Sequence, residues 1–478
     1  MLKTQVASLR KAGTTLLVCL LCVNLLFLPI YPATAQVFGK FGLSDEMELG
    51  RKFSIMIKSR LPIIEDPEVK GYITGITNRL LKNIPPQPYQ FDVNVLRSDA
   101  VNAFASPGGN LFVFTGLILA MDHESEVAGV MAHELAHATQ RHIASRIERS
   151  QTIGLASMLL ALGGMFLGGS NTRGAGVVAP LAAAQTAMLN YSRQDETEAD
   201  QVGLNYLVAA GYPPQGMYKA FENIRRTQSL TSSGIPTYMS THPDVSKRVN
   251  DMSARIAHLP QNVRDRKDDD STFLRIKTLV RAKYSNPTSA LRFFEQDKTM
   301  PGYMNLMGKG ILYSRLNRIN DAEKVFEEAL KVGSGESLVW REAGIFYYTK
   351  GGPGSSAKAA NYLEKAVKMN PRDYFARFYN ALILEETGRA SAAELEFREV
   401  LRYVPEDSEV HYRYGRLLGT QGKNFEAYLH LAYSSMYMNQ KDQAKSSRDK
   451  ASKYVMTPTQ KAELGKFDAK YREREEFW

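Results

Sequence analysis

The feature that most limits the folds open to this chain is a spacing of 34 residues in its C-terminal half. Gly310, Tyr313, Ala322, Phe326 and Ala329 recur as Gly344, Tyr347, Ala359, Leu363, Ala366 and Pro371, after a three-residue insertion near "GGPGSS". The phase runs on through Ala381, Leu384, Ala393, Phe397 and Pro405, and again through Gly415, Leu418, Ala427 and Leu431. Small residues at fixed places let two antiparallel helices approach closely. The large ones fill the gap to the next pair, so each unit buries its apolar face only by stacking on its neighbours. An ordinary amphipathic bundle has no reason to hold register over four such units.

The pattern resembles the tetratricopeptide repeat, which implies an α-solenoid over 303–455 and a C-terminal tail at 456–478. Ahead of it, "TFLRIKTLVRAKYSNPTSALRFF" resembles a degenerate unit. Residues 264–302 therefore read as a linker, opening on the charge-dense "RDRKDDDS" from Arg264 to Ser271, followed by that unit. Stacked hairpins offer a concave face suited to peptide or protein.

At 478 residues the chain exceeds one ordinary core, so further domains must precede the repeats. The first block carries Lys3, Arg10 and Lys11, an apolar run from Leu16, and Ala33-Thr34-Ala35. That order predicts a secretory signal peptide over 1–35; the length of the apolar run leaves an uncleaved anchor as the alternative. A lipoprotein at Cys22 is disfavoured by Leu21, where a small residue belongs. Both cysteines, Cys19 and Cys22, sit in this leader, so stability after export must come from packing or from metal. Lys plus Arg number 60 against 50 acidic residues, but the excess is spread along the chain with no aromatic-interleaved basic stripe. Nucleic acid is not an expected partner.

Residues 36–263 form the predicted first domain. Helical periodicity covers Leu43 to Arg60 and Pro67 to Lys82, and "PPQPY" breaks it. "QFDVNVL" alternates as a strand does, and "NAFASPGGNLFVFTGLI" reads as two more strands about a Pro-Gly-Gly turn. A small antiparallel sheet is the expectation. Ile153 to Gly169 is almost wholly apolar, and Gly174 to Leu189 is rich in small residues. Seventeen residues lie at the lower limit for a bilayer, so 153–189 reads as a buried or interfacial helical hairpin. Peripheral membrane contact, bilayer insertion and a cap over a substrate cleft are the other uses.

The chemistry centres on "GVMAHELAHATQRH", Gly129 to His142. Residues four apart share a helix face, so His133 and His137 can aim imidazole nitrogens at one ion with Glu134 beside it. Zinc suits nitrogen and carboxylate donors in a tetrahedron, and a catalytic zinc needs a third protein ligand. Gln140 and His142 break the H-E-x-x-H-x-x-G-x-x-H pattern, which makes His142 a surface residue or an outer hydrogen-bonding partner rather than a ligand. Downstream, "YSRQDETEADQVGLNYL" puts Glu196 and Asp200 on one helical face and Glu198 on another. Either Glu196 binds zinc while Asp200 fixes the tautomer of a ligating histidine, or this is an acidic, solvated helix start.

"NAFASPGGNLFVFTGLI", "EVAGVMAHELAHATQRH", "DETEADQVGLNYLVAAGYPP" and "THPDVSKRV", in this order ahead of repeats, resemble the BepA/YfgC-type periplasmic metalloproteases. Their catalytic domain groups with HtpX and CAAX-prenyl-protease-like gluzincins. The resemblance implies an α+β, mostly helical fold: a gluzincin-type zinc metallopeptidase domain followed by an α-solenoid. It implies one Zn2+ per chain on His133, His137 and Glu196, with Glu134 as general base and Asp200 as orienting residue. His242 corresponds to a histidine that can take the fourth zinc position in this subgroup, a reversible latch; on its own it reads as a helix-capping residue before Pro243. Substrate would lie extended along an exposed edge of the small sheet, on Asn102, Ala103, Phe104 and Ala105.

The resemblance implies a periplasmic endopeptidase that degrades misfolded or stalled outer-membrane proteins, with the repeats docking to the outer-membrane assembly machinery. A chaperone or scaffold with a largely latent zinc site is the alternative, and an integral membrane protease through Ile153 to Leu189 is a third. No cysteine remains after the leader, so the orientation of the repeats must rest on noncovalent packing.

Overall fold

Two consecutive glycines set the geometry of the sheet. Gly108 and Gly109 both take positive φ, 73° and 84°, in the Pro107–Gly109 turn, which closes β2 (Ala103–Ser106) onto β3 (Asn110–Phe114) as an antiparallel hairpin. The computed structural model describes residues 41–150, 155–167, 191–227, 238–297 and 300–478. The predicted leader at 1–35 and the small-residue run from Gly174 to Leu189 lie outside them.

β1 (Asp92–Leu96) joins the other side of β3 in parallel, giving the order β1-β3-β2. The expected antiparallel sheet is therefore corrected to a mixed one. The chain reverses twice between β1 and β3, so β3 runs in the direction of β1 and inserts beside it. β2 is left on the edge. The Leu43–Arg60 helix lies hard against the hairpin turn: a Cβ on Gly50 would stand 1.9 Å from the Pro107 carbonyl oxygen.

The Glu124–Thr139 helix is buried from Ser125 to Ala138. The Arg193–Ala209 helix crosses it at Gly203, where a Cβ would come 3.0 Å from His133 Cα. This close approach brings the carboxylates of one helix to the imidazoles of the other. Leu155–Leu167, the described part of the apolar run, spans about 20 Å at ~1.5 Å per residue. Its Gly163 faces Met56 of the first helix. Among the described residues no helix is long and apolar enough to cross a membrane.

Helix pairs occupy the C-terminal half: Gly302–Arg315 with Ile319–Val332, Ser337–Lys350 with Ser355–Met369, Tyr374–Glu386 with Ala390–Tyr403, and Ser408–Thr420 with Asn424–Tyr437. The small residues stand where the helices of a pair touch. A Cβ on Gly310 would meet the Phe326 ring at 2.9 Å, and one on Gly344 would meet Leu363 at 2.7 Å. The degenerate unit is also a pair, Ser271–Tyr284 with Pro287–Gln296. The segment read as a tail is a helix, Pro458–Glu475, which buries Leu464 and Phe467 behind a Thr457 capping box.

The charge-dense linker is docked rather than free. Its Asp268 and Asp270 bind the start of the Glu124–Thr139 helix. One apolar core runs without a break from Ile64 in the first domain to Ile383 in the repeats, so the orientation left open by the sequence is set by packing.

Candidate metal centre

His133 and His137 project from one face of the Glu124–Thr139 helix with their Nε2 atoms 2.9 Å apart. Glu196 comes in from the Arg193–Ala209 helix, its Oε2 3.5 Å from His133 Nε2 and its Oε1 3.5 Å from His137 Nε2. His242 closes the group, its Nδ1 3.0 Å from Glu196 Oε1 and 3.4 Å from His133 Nε2. All four donors are buried and lie within 4.8 Å of one another. The edges of a tetrahedron with bonds of ~2.0–2.1 Å are about 3.3–3.4 Å, so these spacings suit one zinc-sized cation.

Outer hydrogen bonds point the imidazoles inward. His133 Nδ1 lies 3.0 Å from Asp200 Oδ1, so it carries the proton and donates, leaving the Nε2 lone pair for an ion. His137 Nδ1 lies 2.8 Å from His142 Nδ1, and His142 Nε2 faces Glu198 Oε2 at 3.5 Å. Of the two roles the sequence left His142, the structure places it as a buried outer partner. Glu198, on its separate face, reaches the group only through that ring.

Glu134 is buried beside the donors. Its Oε2 accepts from the Ala105 backbone N–H at 3.2 Å, and its Oε1 faces His242 Nε2 at 3.5 Å. Burial pushes its carboxyl above the usual range. Glu196 is moved the other way. Burial would raise it too, but His242 and the Arg248 guanidinium outweigh that and hold it well below the ordinary carboxylate value.

The candidate substrate strand is an edge strand, but it is not exposed: Asn102, Ala103, Phe104 and Ala105 are all buried. The expectation of an exposed edge is corrected on that point. Glu134 takes the Ala105 N–H, and the segment that carries His242 leans on the strand's approach, with Tyr238 N–H donating to the Val101 carbonyl at 3.2 Å. His242 and the strand are thereby in one packed layer.

Three further side chains complete the centre. Arg248 is buried over the Phe221 ring, its Nε and Nη2 on Asp200 at 2.8 and 2.7 Å and its Nη1 on Glu196 at 2.5 Å. It ties the Glu196 and Asp200 carboxylates to each other. Tyr238 and Tyr191 both stack on the His242 ring, with centroids 4.2 and 5.0 Å from it, and the Tyr191 centroid lies 3.8 Å from that of His137. Arg248 follows His242 by six residues inside "THPDVSKRV", and a buried acidic pair in need of a cation was its only sequence signal. Aromatic identity alone carries none for the tyrosines.

The profile of Peptidase family M48 matches residues 67–256, which contain every residue of the centre, and a Tetratricopeptide repeat profile matches 354–408. The Beta-barrel assembly-enhancing protease of Escherichia coli (strain K12) is 27% identical over 302 residues, covering 62% of this chain and 61% of that one. The protein of the same name from Yersinia pestis is 32% identical over 215 residues, 45% of this chain and 44% of that one. The Mitochondrial metalloendopeptidase OMA1 of Arabidopsis thaliana is 33% identical over 161 residues, 33% of this chain and 30% of that one. The chain thus spans less than two thirds of the length of these relatives.

Proposed function

We propose that this chain, a Peptidase family M48 domain followed by tetratricopeptide repeats, is a periplasmic zinc endopeptidase that acts on misfolded or stalled outer-membrane proteins and is held closed by His242. The observation that carries the reading is the convergence of His133, His137, Glu196 and His242 with Glu134 alongside. The names of the relatives, a protease that enhances β-barrel assembly among them, support the substrate class. The signal-peptide pattern before Ala35 supports export.

A Zn2+ held by His133, His137 and Glu196 would supply Lewis acidity to a water and to the scissile carbonyl. The residues of the chain do the rest. Glu134, anchored through Oε2 to the Ala105 N–H, presents Oε1 to take a proton from the attacking water and return it to the leaving amine. Asp200 and His142 keep the ligand tautomers fixed. The β2 edge is buried here, so an extended peptide could pair with its main chain, reading backbone more than side chain, only after the His242 segment leaves Val101. Client choice then falls to the repeats, which suit a protein partner such as the outer-membrane assembly machinery.

A hydrolytic zinc keeps one position open, whereas four protein donors close it. With His242 seated, its ring stands between Glu134 and the other donors, so hydrolysis requires the His242 segment to withdraw from Val101. Purified Glu134→Gln should bind one Zn2+ per chain yet leave an unfolded β-barrel protein intact, and His242→Ala should cleave it faster than wild type. Equal cleavage by Glu134→Gln would overturn the assignment. The same closure favours a second reading, a chaperone with a latent site. Full support of outer-membrane protein assembly in cells by Glu134→Gln would select it.

A further inference from the structure

The helix that carries His133, Glu134 and His137 does not cap its own first two N–H groups, those of Glu124 and Ser125. Its N-cap is His123, whose side chain bonds none of the free N–H groups. The caps come from residues more than 140 positions later. Asp270 Oδ1 accepts from Glu124 N–H at 2.9 Å, and Asp268 accepts at 2.9 Å from both the Ser125 N–H and the Ser125 hydroxyl. Asp270 Oδ2 also lies 2.6 Å from His123 Nδ1. Ser125 is buried, while Asp268 and Asp270 are half-buried.

Asp270 does a second thing with its backbone. Its carbonyl accepts from Leu274 N–H at 2.8 Å, which starts the Ser271–Tyr284 helix, the first helix of the repeat array. One residue thus opens the array with its main chain and caps the ligand helix with its side chain. Negative charge there also suits the positive end of both helix dipoles. Lys277, two turns into the array helix, donates to the Met121 carbonyl just ahead of the ligand helix and tightens the same joint. The helix between this joint and His133 is buried and continuous, so a displacement at its start would be carried along its length.

We propose that Asp268 and Asp270 are positioning residues for the metal centre, joining the first repeat helix to the ligand helix so that a shift of the array becomes a shift of His133, Glu134 and His137. The proposal rests on reading the site as a hydrolytic zinc centre. It makes a protein client bound on the repeats an effector of the site through this joint.

The test uses the full chain loaded with Co2+, whose visible absorption reports ligand geometry, alongside steady-state cleavage of an unfolded β-barrel protein. Asp268→Ala/Asp270→Ala should alter the cobalt spectrum and lower kcat about tenfold to a hundredfold with KM little changed. Asp268→Asn/Asp270→Asn, which keeps capping acceptors, should restore both. Phe425→Leu, in the last repeat pair and matched for loss of thermal stability, should leave the spectrum as in wild type. Should the double alanine variant not fold, Asp268→Ala alone is read in the same way. A lowered Tm with unchanged spectrum and kcat overturns the joint while leaving the zinc site standing. A wild-type chain that takes up no Co2+ overturns both.

Discussion

The repeat array meets the first domain at both of its ends, and the two contacts are built from different physics. At the near end Arg341, fully buried, lies 3.0 Å from Asp66, 2.7 Å from Glu342 and 3.5 Å from Asp373, while Lys283 holds Asp66 at 3.0 Å and Glu342 at 3.1 Å. Asp66 is also the N-cap of the Pro67–Leu81 helix, so this cluster ties the array to a structural terminus. At the far end Arg51 pairs with Glu473 at 2.7 Å and Lys52 with Glu476 at 3.0 Å, with three of the four side chains well exposed. Asn439 adds one hydrogen bond to the Ser59 carbonyl. Desolvated charges fix a geometry whatever the surroundings, whereas hydrated ones hold it only as firmly as the ionic conditions permit. The array is pinned near the linker and lightly clasped at the other end.

The largest effect that tests this contrast comes from Arg341→Ala. Burial would raise the Asp66 carboxyl, and the charges of Arg341 and Lys283 instead hold it below its ordinary value. Removing the guanidinium leaves Asp66 and Asp373 buried and short of a cation, which should cost about 3–5 kcal/mol of unfolding free energy by denaturant titration. A loss below about 1 kcal/mol would erase the distinction between the ends.

Acid should separate the two ends next. His411 and His430 are packed together with their Nδ1 atoms 2.8 Å apart, and His411 Nε2 lies 3.0 Å from the Pro405 carbonyl. Burial pushes His411 down to about 4, and burial together with the His411 charge pushes His430 down to about 3. Both are neutral in the fold, while the unfolded chain binds protons below about 6.5. Their contribution is complete above that value and drains away as pH falls towards 4, roughly 3 kcal/mol for His411 alone. Asp66 behaves otherwise: its contribution persists until pH drops through the carboxylate range. Hydrogen exchange at pH 5 should therefore show Ser408–Thr420 and Asn424–Tyr437 loosening while Pro67–Leu81 stays protected. Equal loosening would remove the asymmetry.

The same division separates what could be read in the sequence from what could not. Gly310 and Gly344 announced helix pairs because close approach demands a small residue at a fixed period, and the contacts with Phe326 and Leu363 are that demand met. His133 and His137 were legible because a helix converts a spacing of four into a shared face. Glu196, Asp200 and His242 were drawn to the two histidines through a resemblance, and the structure brings all three beside them; spacing alone left Glu196 and Asp200 open between two readings. Arg248 was not seen, since a buried guanidinium follows from a three-dimensional excess of carboxylates that no local pattern records. The parallel β1–β3 ladder was hidden for a related reason, because strand alternation gives the face of a residue but not the order of the strands. The caps from Asp268 and Asp270 were concealed in a run that composition describes only as charged.

The smallest effect belongs to the far end, and it discriminates best. Arg51→Ala/Lys52→Ala removes two hydrated ion pairs and should cost less than about 1 kcal/mol of global stability. Locally, it should raise hydrogen exchange in Pro458–Glu475 and in Leu43–Arg60. Wild-type protein in 1 M salt, which weakens hydrated surface ion pairs, should reproduce that exchange pattern. Salt should leave the penalty of Arg341→Ala almost unchanged, because the near-end charges are already out of water. The Leu43–Arg60 helix braces the Pro107–Gly109 turn through Gly50, so loosening its outer face tests whether the clasp also steadies the β2 edge beside Glu134. Cleavage that falls with salt in wild type but is insensitive to salt in Arg51→Ala/Lys52→Ala would connect the clasp to the strand. A salt response identical in both would confine the far end to holding the array in place.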